Sequence, residues 1–192
     1  MEPRVSYGIV SPPYWTEVCI VGGGPSARGF SVTNFPGCTL LGLNDSALAM
    51  FALHSLASVA LFSIDNNWIR RHRVFISTFP GEKYLALPLE TWTDCADIPG
   101  VTYLQISHAD GLSDHPGVVC AGCNTGYAAL NLAYLKGARK IHLWGYDMDP
   151  QTNDQYIYWA PLFRNMIPKL KSRGVRVLNH SRESSIDAFP FS

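Results

Sequence analysis

Two glycine-rich turns, each placed at the end of a short apolar run, constrain this chain more than any other feature. The first covers residues 22–26 and follows the run 18–21, while the second covers 122–126 and leads into an apolar segment with helical spacing. A turn of this kind exposes backbone N–H groups at a helix start, where they bind phosphate without a basic side chain. The two turns therefore predict an α/β domain with a phosphate-binding site.

Apolar runs alternate with helical patterns along almost the whole chain. The predicted strands are 17–22, 38–43, 58–64, 74–78, 140–144 and 175–178. The predicted helices are 44–56, 66–72, 125–136, 159–172 and 184–189. Such alternation favours one Rossmann-like α/β domain over residues 1–192, with a mostly parallel sheet and helices on both faces. Prolines interrupt residues 79–121, which we interpret as an insertion with a small hairpin or an edge extension of the sheet.

The charge balance argues against several classes of partner. The chain has 15 basic and 15 acidic residues among 192, and we interpret its one dense basic run, at 70–73, as a solvated helix end. We therefore expect no nucleic-acid partner. The sequence shows no secretory signal pattern and no apolar run of membrane-spanning length, so we expect a cytoplasmic protein without a membrane span. Since only 16% of residues are charged, a surface covered by a second subunit, as in a homo-oligomer, is compatible with the sequence.

Small and polar residues recur where the predicted strands end. In an open α/β sheet, ligands bind beyond the carboxyl ends of the strands, so these residues are expected to converge on one site. The candidates for nucleotide binding are Gly23, Gly24, Pro25, Ser26, Asn44, Asp65, Asn124, Thr125, Gly126, Gly145, Asp147, Ser181 and Ser184. A side chain at Gly24 is expected to occupy the space that the phosphate needs.

A metal site and a dinucleotide site are the alternatives that the same residues raise. Asp147 and Asp149 form a D-x-D pair, but Pro150 follows at once, and we expect no metal and no cofactor other than the nucleotide substrate. Residues 22–27 also fit the loose G-x-G-x-x-[GA] dinucleotide pattern, with Asp45 at the distance of a ribose-binding carboxylate. The helix that should follow is weak, because Gly29 and Pro36 interrupt it. An oxidoreductase that binds NAD or FAD stays an alternative.

Several of these motifs together resemble a known family. Residues 21–26, Leu43-Asn44, 124–127 and 143–148 resemble the bacterial sialyltransferase-like superfamily, which includes the family 42 α-2,3-sialyltransferases and the DUF115 proteins. In appearance the chain is most similar to small proteins of tailed phages and prophages, which would place it in the host cytoplasm. The order and spacing match over about residues 17–65 and 120–189.

The resemblance implies a variant GT-A fold that binds a CMP-sugar without a metal. It places Gly24, Pro25, Ser26 and Asn44 at the nucleotide phosphate and ribose, and Thr125 and Gly126 at the sugar or phosphate. It also places Gly145 and Asp147 at the base, with residues 181–185 closing the site. The chain lacks the family's long lid with its catalytic histidine, since only residues 149–158 separate the strand at 140–144 from the next helix.

The catalytic candidates are correspondingly Tyr156, Tyr158 and His180. The two tyrosines lie in segment 149–158, which we expect to close over the ligand, and His180 follows the last predicted strand. The sequence thus predicts a nucleotide- or nucleotide-sugar-binding protein, a metal-independent glycosyltransferase-like enzyme with a CMP-type donor. A non-catalytic nucleotide-binding phage protein stays open beside the oxidoreductase.

Overall fold

The computed structural model describes residues 8–10, 15–54, 59–88, 95 and 97–192 of the chain. One eight-stranded sheet runs through them, and every strand pair is parallel. Its strands are β1 (Glu17–Val21), β2 (Thr39–Leu43), β3 (Val59–Ser63), β4 (Lys83–Leu87), β5 (Val101–Ser107), β6 (Val118–Cys120), β7 (Lys140–Trp144) and β8 (Arg176–Asn179). The predicted α/β class with a parallel sheet is confirmed.

The helices cover both faces of this sheet. They are α1 (Asp45–His54), α2 (Asn66–Arg71), α3 (Arg73–Thr78), α4 (Thr125–Leu135), α5 (Tyr156–Trp159) and α6 (Ile167–Ser172), with 3-10 turns at Pro25–Gly29, Val32–Asn34 and Ala160–Met166. Successive residues of a strand point to opposite faces, so β1 contributes to two separate cores. Val18 and Ile20 pack in the core that includes α4, and Cys19 and Val21 pack in the core that includes α1, α2 and α3.

The strand order fixes where a ligand can bind. Along the sheet the order is β6-β5-β4-β3-β2-β1-β7-β8, so the chain builds outward from β1 to β6 and then returns to the other side of β1. The order reverses between β1 and β7. A doubly wound sheet has its binding crevice beyond the carboxyl ends of two such strands, because their connections leave in opposite directions.

One predicted strand differs from the structure, and one of two alternatives for a second segment is excluded. Residues 74–78 belong to helix α3 rather than to a strand, since Phe75 and Phe79 pack against Phe51 and a short apolar run does not by itself distinguish strand from helix. Of the two alternatives for segment 79–121, the structure has the edge extension and no hairpin among its described residues, because β4, β5 and β6 extend the sheet in parallel. The predicted strand start at 58 and helix end at 55–56 lie outside the described residues.

Two predictions near the C-terminus also need correction. Residues 184–189 do not form a helix, since the amide of Ser185 bonds to the carbonyl of Asp147 and Ser184 Oγ bonds to that of Tyr146. The predicted helix 159–172 is a mixed segment from α5 through the 3-10 turn to α6. Pro161 and Pro168 lack amide donors, which prevents a regular ladder there.

Within the described part of the chain, the helices are all too short or too polar to cross a bilayer.

Candidate functional site

A cavity of about 820 Å³ lies at the carboxyl ends of β1 and β7, where the strand order reverses. This is the volume range of small-molecule sites. Its lining residues come from the ends of five strands or the segments that follow them and from α5: Gly22, Gly23, Gly24, Pro25, Leu43, Asn44, Asp45, Ile64, Asp65, Cys123, Asn124, Thr125, Gly126, Gly145, Tyr146, Asp147, Met148, Asp149, Thr152, Tyr156 and Trp159.

The first glycine turn is joined to the loop after β7. The amide of Gly22 donates to the carbonyl of Trp144 at 2.7 Å, and that of Gly24 donates to the carbonyl of Gly145 at 3.0 Å. Parallel pairing of β1 and β7 therefore continues past both strand ends. The expectation that this turn offers a row of open N–H groups is not met at Gly22 and Gly24, because β7 has already taken those donors.

Ser26 lies behind the cavity and holds the two loops together. Its amide lies 3.2 Å from Asp147 Oδ2, and its Oγ donates to the same oxygen at 2.8 Å. The Ser26 Oγ also accepts from the amide of Gly145 at 3.1 Å and lies 2.6 Å from the Oγ of Ser181. The hydroxyl of Ser26 is thus fully occupied, and its observed contacts are structural.

The second glycine turn presents a helix N-terminus to the cavity. Asn124 caps α4, with its Oδ1 accepting from the amide of Tyr127 at 2.7 Å and its Nδ2 donating to the carbonyl of Gly122. In the described chain the amides of Thr125 and Gly126 have no hydrogen-bond partner, and both residues line the cavity. Helix α4 has 11 residues, so its dipole adds partial positive charge at these two N–H groups.

Polar side chains from β2 and β3 form the opposite wall. Asp45 accepts from Nε1 of Trp68 at 2.6 Å, and Asp65 caps α2 by accepting from the amides of Asn67 and Trp68. Asn44 differs from both, because its Oδ1 is buried with no partner among the described residues. A buried acceptor without a partner costs free energy, which a ligand donor would recover.

Backbone strain concentrates around the same cavity. Among the described residues other than glycine, positive φ angles occur at Asn44 (51°), Cys123 (61°) and Met148 (46°). All three line the cavity. Left-handed backbone is costly outside glycine and clusters at ligand sites, where surrounding contacts hold it in place.

Aromatic side chains close the cavity on the side of α5. Tyr156 and Trp159 meet edge to face at 5.8 Å, and both line the cavity. Tyr146 is buried, which raises the pKa of its phenol, and its hydroxyl donates to the carbonyl of Gly126 at 3.0 Å. Tyr158 is not among the lining residues and is 74% exposed. Of the two predicted tyrosines, only Tyr156 reaches the cavity.

His180 lies on a face of the sheet rather than in the cavity. Its ring stacks on Trp144 at 4.6 Å, and its Nε2 lies 2.8 Å from Nδ1 of His142. Nε2 of His142 lies 2.8 Å from Oε1 of Glu17, to which Nζ of Lys140 also donates. Burial, reinforced by the charge of His142, lowers the pKa of His180 to about 4. His180 is held as a neutral partner of His142, with no contact to the cavity lining.

The predicted site residues thus differ in their position relative to the cavity wall. The structure brings together in the cavity wall Gly23, Gly24, Pro25, Asn44, Asp65, Asn124, Thr125, Gly126, Gly145, Asp147 and Tyr156. It places Ser26, Ser181 and Ser184 behind the wall, and Tyr158 and His180 outside it. The apolar residues of the wall were not predicted from the sequence. The one available signal for them was a position after a strand end, and they are Leu43, Ile64, Tyr146, Met148 and Trp159.

No protein-family model, curated protein or solved structure matches this chain. The case for a function therefore rests on the fold and on the cavity.

Two neighbouring glycines of the first turn should respond differently to substitution. A Cβ on Gly24 would overlap Oδ2 of Asp147 and lie 2.8 Å from the carbonyl oxygen of Gly145, whereas a Cβ on Gly23 meets nothing within 4 Å. We expect Gly24→Ala to lower the free energy of unfolding by about 1–3 kcal/mol, and Gly23→Ala to change it by less than about 0.5 kcal/mol. Urea denaturation of both variants measures this difference. Equal stabilities would contradict the close packing of Gly24 on Asp147.

The low pKa of His180 makes stability depend on pH. Unfolded chains bind a proton at this histidine near pH 6.5 and the folded protein near pH 4, so the unfolded state binds more protons within that window. The free energy of unfolding should therefore decrease as the pH falls from 6.5 to 4. We expect a shallower decrease in His180→Gln, measured by urea denaturation at several pH values. Identical slopes would show that His180 titrates normally.

Proposed function

We propose that the protein binds a nucleotide or nucleotide sugar in this cavity and acts as a metal-independent, glycosyltransferase-like enzyme. The observation that carries the proposal is the position of the α4 N-terminus. The amides of Thr125 and Gly126, which have no partner among the described residues, lie in the cavity wall at the switch point of a doubly wound sheet. Such an arrangement is suited to holding a phosphate group.

The rest of the wall suits the other parts of a nucleotide. Tyr156, Trp159 and Met148 form an apolar and aromatic surface against which a base can stack. Asn44 and Asp45 offer oxygen acceptors for the hydroxyls of a ribose or a sugar. A CMP-type donor is what the sequence resemblance implies, and the wall itself is compatible with any base.

In a transfer reaction the nucleotide phosphate leaves with growing negative charge. The amides of Thr125 and Gly126 are already oriented, so they would stabilise that charge without reorganisation. Tyr156 would donate a hydrogen bond or a proton to the leaving oxygen. Asp149 is the candidate base toward the acceptor, since its Oδ1 accepts from the amide of Gln151 at 2.9 Å and its other oxygen has no partner in the described chain.

A non-catalytic nucleotide-binding protein is the second candidate, favoured by the positions of Tyr158 and His180 outside the cavity. The oxidoreductase alternative is less supported. The chain after the first glycine turn forms short 3-10 turns rather than the α-helix whose dipole would face a dinucleotide pyrophosphate.

Cys123 provides a direct test of binding, because it is the exposed cysteine and it lines the cavity. We expect CMP, CDP, UDP or GDP to slow its alkylation by N-ethylmaleimide in buffer that contains EDTA. Cys123→Ser should remove the fast-reacting thiol, which identifies the signal. Gly23→Leu should abolish the protection of Cys123 by nucleotide. Its melting temperature should stay unchanged, since the new side chain enters open space. Gly23→Ala serves as the matched control. Two results would overturn the site: full protection of Cys123 in Gly23→Leu, or no protection of Cys123 by any of these nucleotides in the native protein.

The two tyrosines distinguish an enzyme from a binding protein. Tyr156 lines the cavity and Tyr158 is exposed beside it, so Tyr156→Phe should slow nucleotide-sugar hydrolysis or transfer by about 10-fold to 100-fold. Tyr158→Phe should retain the native rate. Release of free nucleotide from the nucleotide sugar, followed by chromatography, measures both. Tight binding with no turnover in the native protein would favour the non-catalytic alternative.

A further inference from the structure

The charged side chains around the cavity all have the same sign. Asp45, Asp65, Asp147 and Asp149 line it, and no lysine, arginine or histidine does so among the described residues. None of these four carboxylates forms an ion pair within the described part of the chain. Their observed partners are backbone amides, the hydroxyl of Ser26 and the indole of Trp68, which are neutral donors. The local negative charge is therefore not cancelled by the protein.

The side chains of the wall also offer free hydrogen-bond acceptors. Asp45 and Asp149 each use one carboxylate oxygen on a protein donor, and Oδ1 of Asn44 is buried without a partner in the described chain. These groups are acceptors, so they match a ligand that supplies donors, such as the hydroxyls of a sugar. The amides of Thr125 and Gly126 at the start of α4 are main-chain donors without a partner in the described chain, and two N–H groups are enough for one phosphate.

A carboxylate on the sugar would find no cationic side chain in the described part of this wall. The amides of Thr125 and Gly126 would be taken by a phosphate, and every charged side chain among the described lining residues is an aspartate. Like charges a few ångströms apart repel, and no cationic side chain among the described lining residues offsets that repulsion. A carboxylate on the sugar would meet this repulsion directly.

We propose that the sugar held in the cavity is uncharged and rich in hydroxyls, and that the cavity selects against acidic sugars such as sialic or uronic acids. This inference rests on the proposed function, since it concerns the sugar part of a nucleotide sugar bound at the same site. It departs from what the sequence resemblance implies, because a sialyltransferase donor carries a carboxylate on its sugar. The departure follows from the four aspartates of the wall, which face no cationic side chain among the described lining residues.

Matched ligand pairs test the selectivity. Titration calorimetry in EDTA should compare UDP-glucose with UDP-glucuronate, and glucose 1-phosphate with glucuronate 1-phosphate. The sugar phosphates make the test independent of the base, and EDTA removes any cation that would bridge a carboxylate to an aspartate. We expect the acidic member of each pair that binds to do so at least about 10-fold more weakly.

Variants of the wall aspartates test whether their charge causes the selectivity against acidic sugars. The double variant Asp45→Asn/Asp149→Asn removes the charge of both side chains and keeps their size. It should therefore bring the dissociation constants of the acidic and the neutral member of each pair closer together. Asp154→Asn, in the same loop but outside the cavity wall, should leave the ratio of these constants unchanged. Equal or tighter binding of the acidic members by the native protein would overturn the selectivity and leave the proposed nucleotide site standing. Failure of CMP, UDP, GDP and both sugar phosphates to bind would overturn both.

Discussion

The close approach of the first glycine turn to the loop after β7 is the constraint on which the cavity depends. Gly22 and Gly145 lack side chains where the two backbones meet, and a Cβ on either would lie within 2.8 Å of the carbonyl oxygen of the other. Asp147 then locks the contact by accepting from Ser26. Together these residues connect β1 to β7 at the reversal of strand order, and every other wall of the cavity is positioned relative to that junction.

This junction changes the role of residues that the sequence assigns to ligand binding. Ser26, Asp147 and Ser181 form a hydrogen-bonded group behind the wall, and Ser184 extends it to the carbonyl of Tyr146. Their polar groups are used within the protein, so they hold the loop 145–148 in the strained form seen at Met148. The proposed phosphate position therefore lies at α4, where the amides of Thr125 and Gly126 have no partner in the described chain. Polar residues at strand ends thus serve either the ligand or the loop that presents it.

Much of the architecture could be predicted because β1, β2 and β7 are buried apolar runs that end at turn residues. β4, β5 and β6 were less clear, since prolines separate them and their parallel pairing depends on distant crossovers. The Ser26–Asp147 pair spans 121 residues and leaves no local pattern. The pairing of β8 with β7 places His180 beside Trp144, so that its ring lies on the face of the sheet and outside the cavity.

The walls of the cavity differ in how they are held, and this difference bears on turnover. The loop 145–148 is tied to β1 and to the C-terminal segment, and Asn124 fixes the start of α4. In the described chain the hydrogen bonds of residues 150–155 are instead local, such as those of Gln151 and Thr152 to Asp149 and of Gln155 to Asn153. A segment bonded mainly to itself opens at lower free energy than one bonded across the fold. We therefore expect access to the cavity from the α5 side, which carries Tyr156 and Trp159, while the hydrogen bonds at the start of α4 favour a fixed wall there.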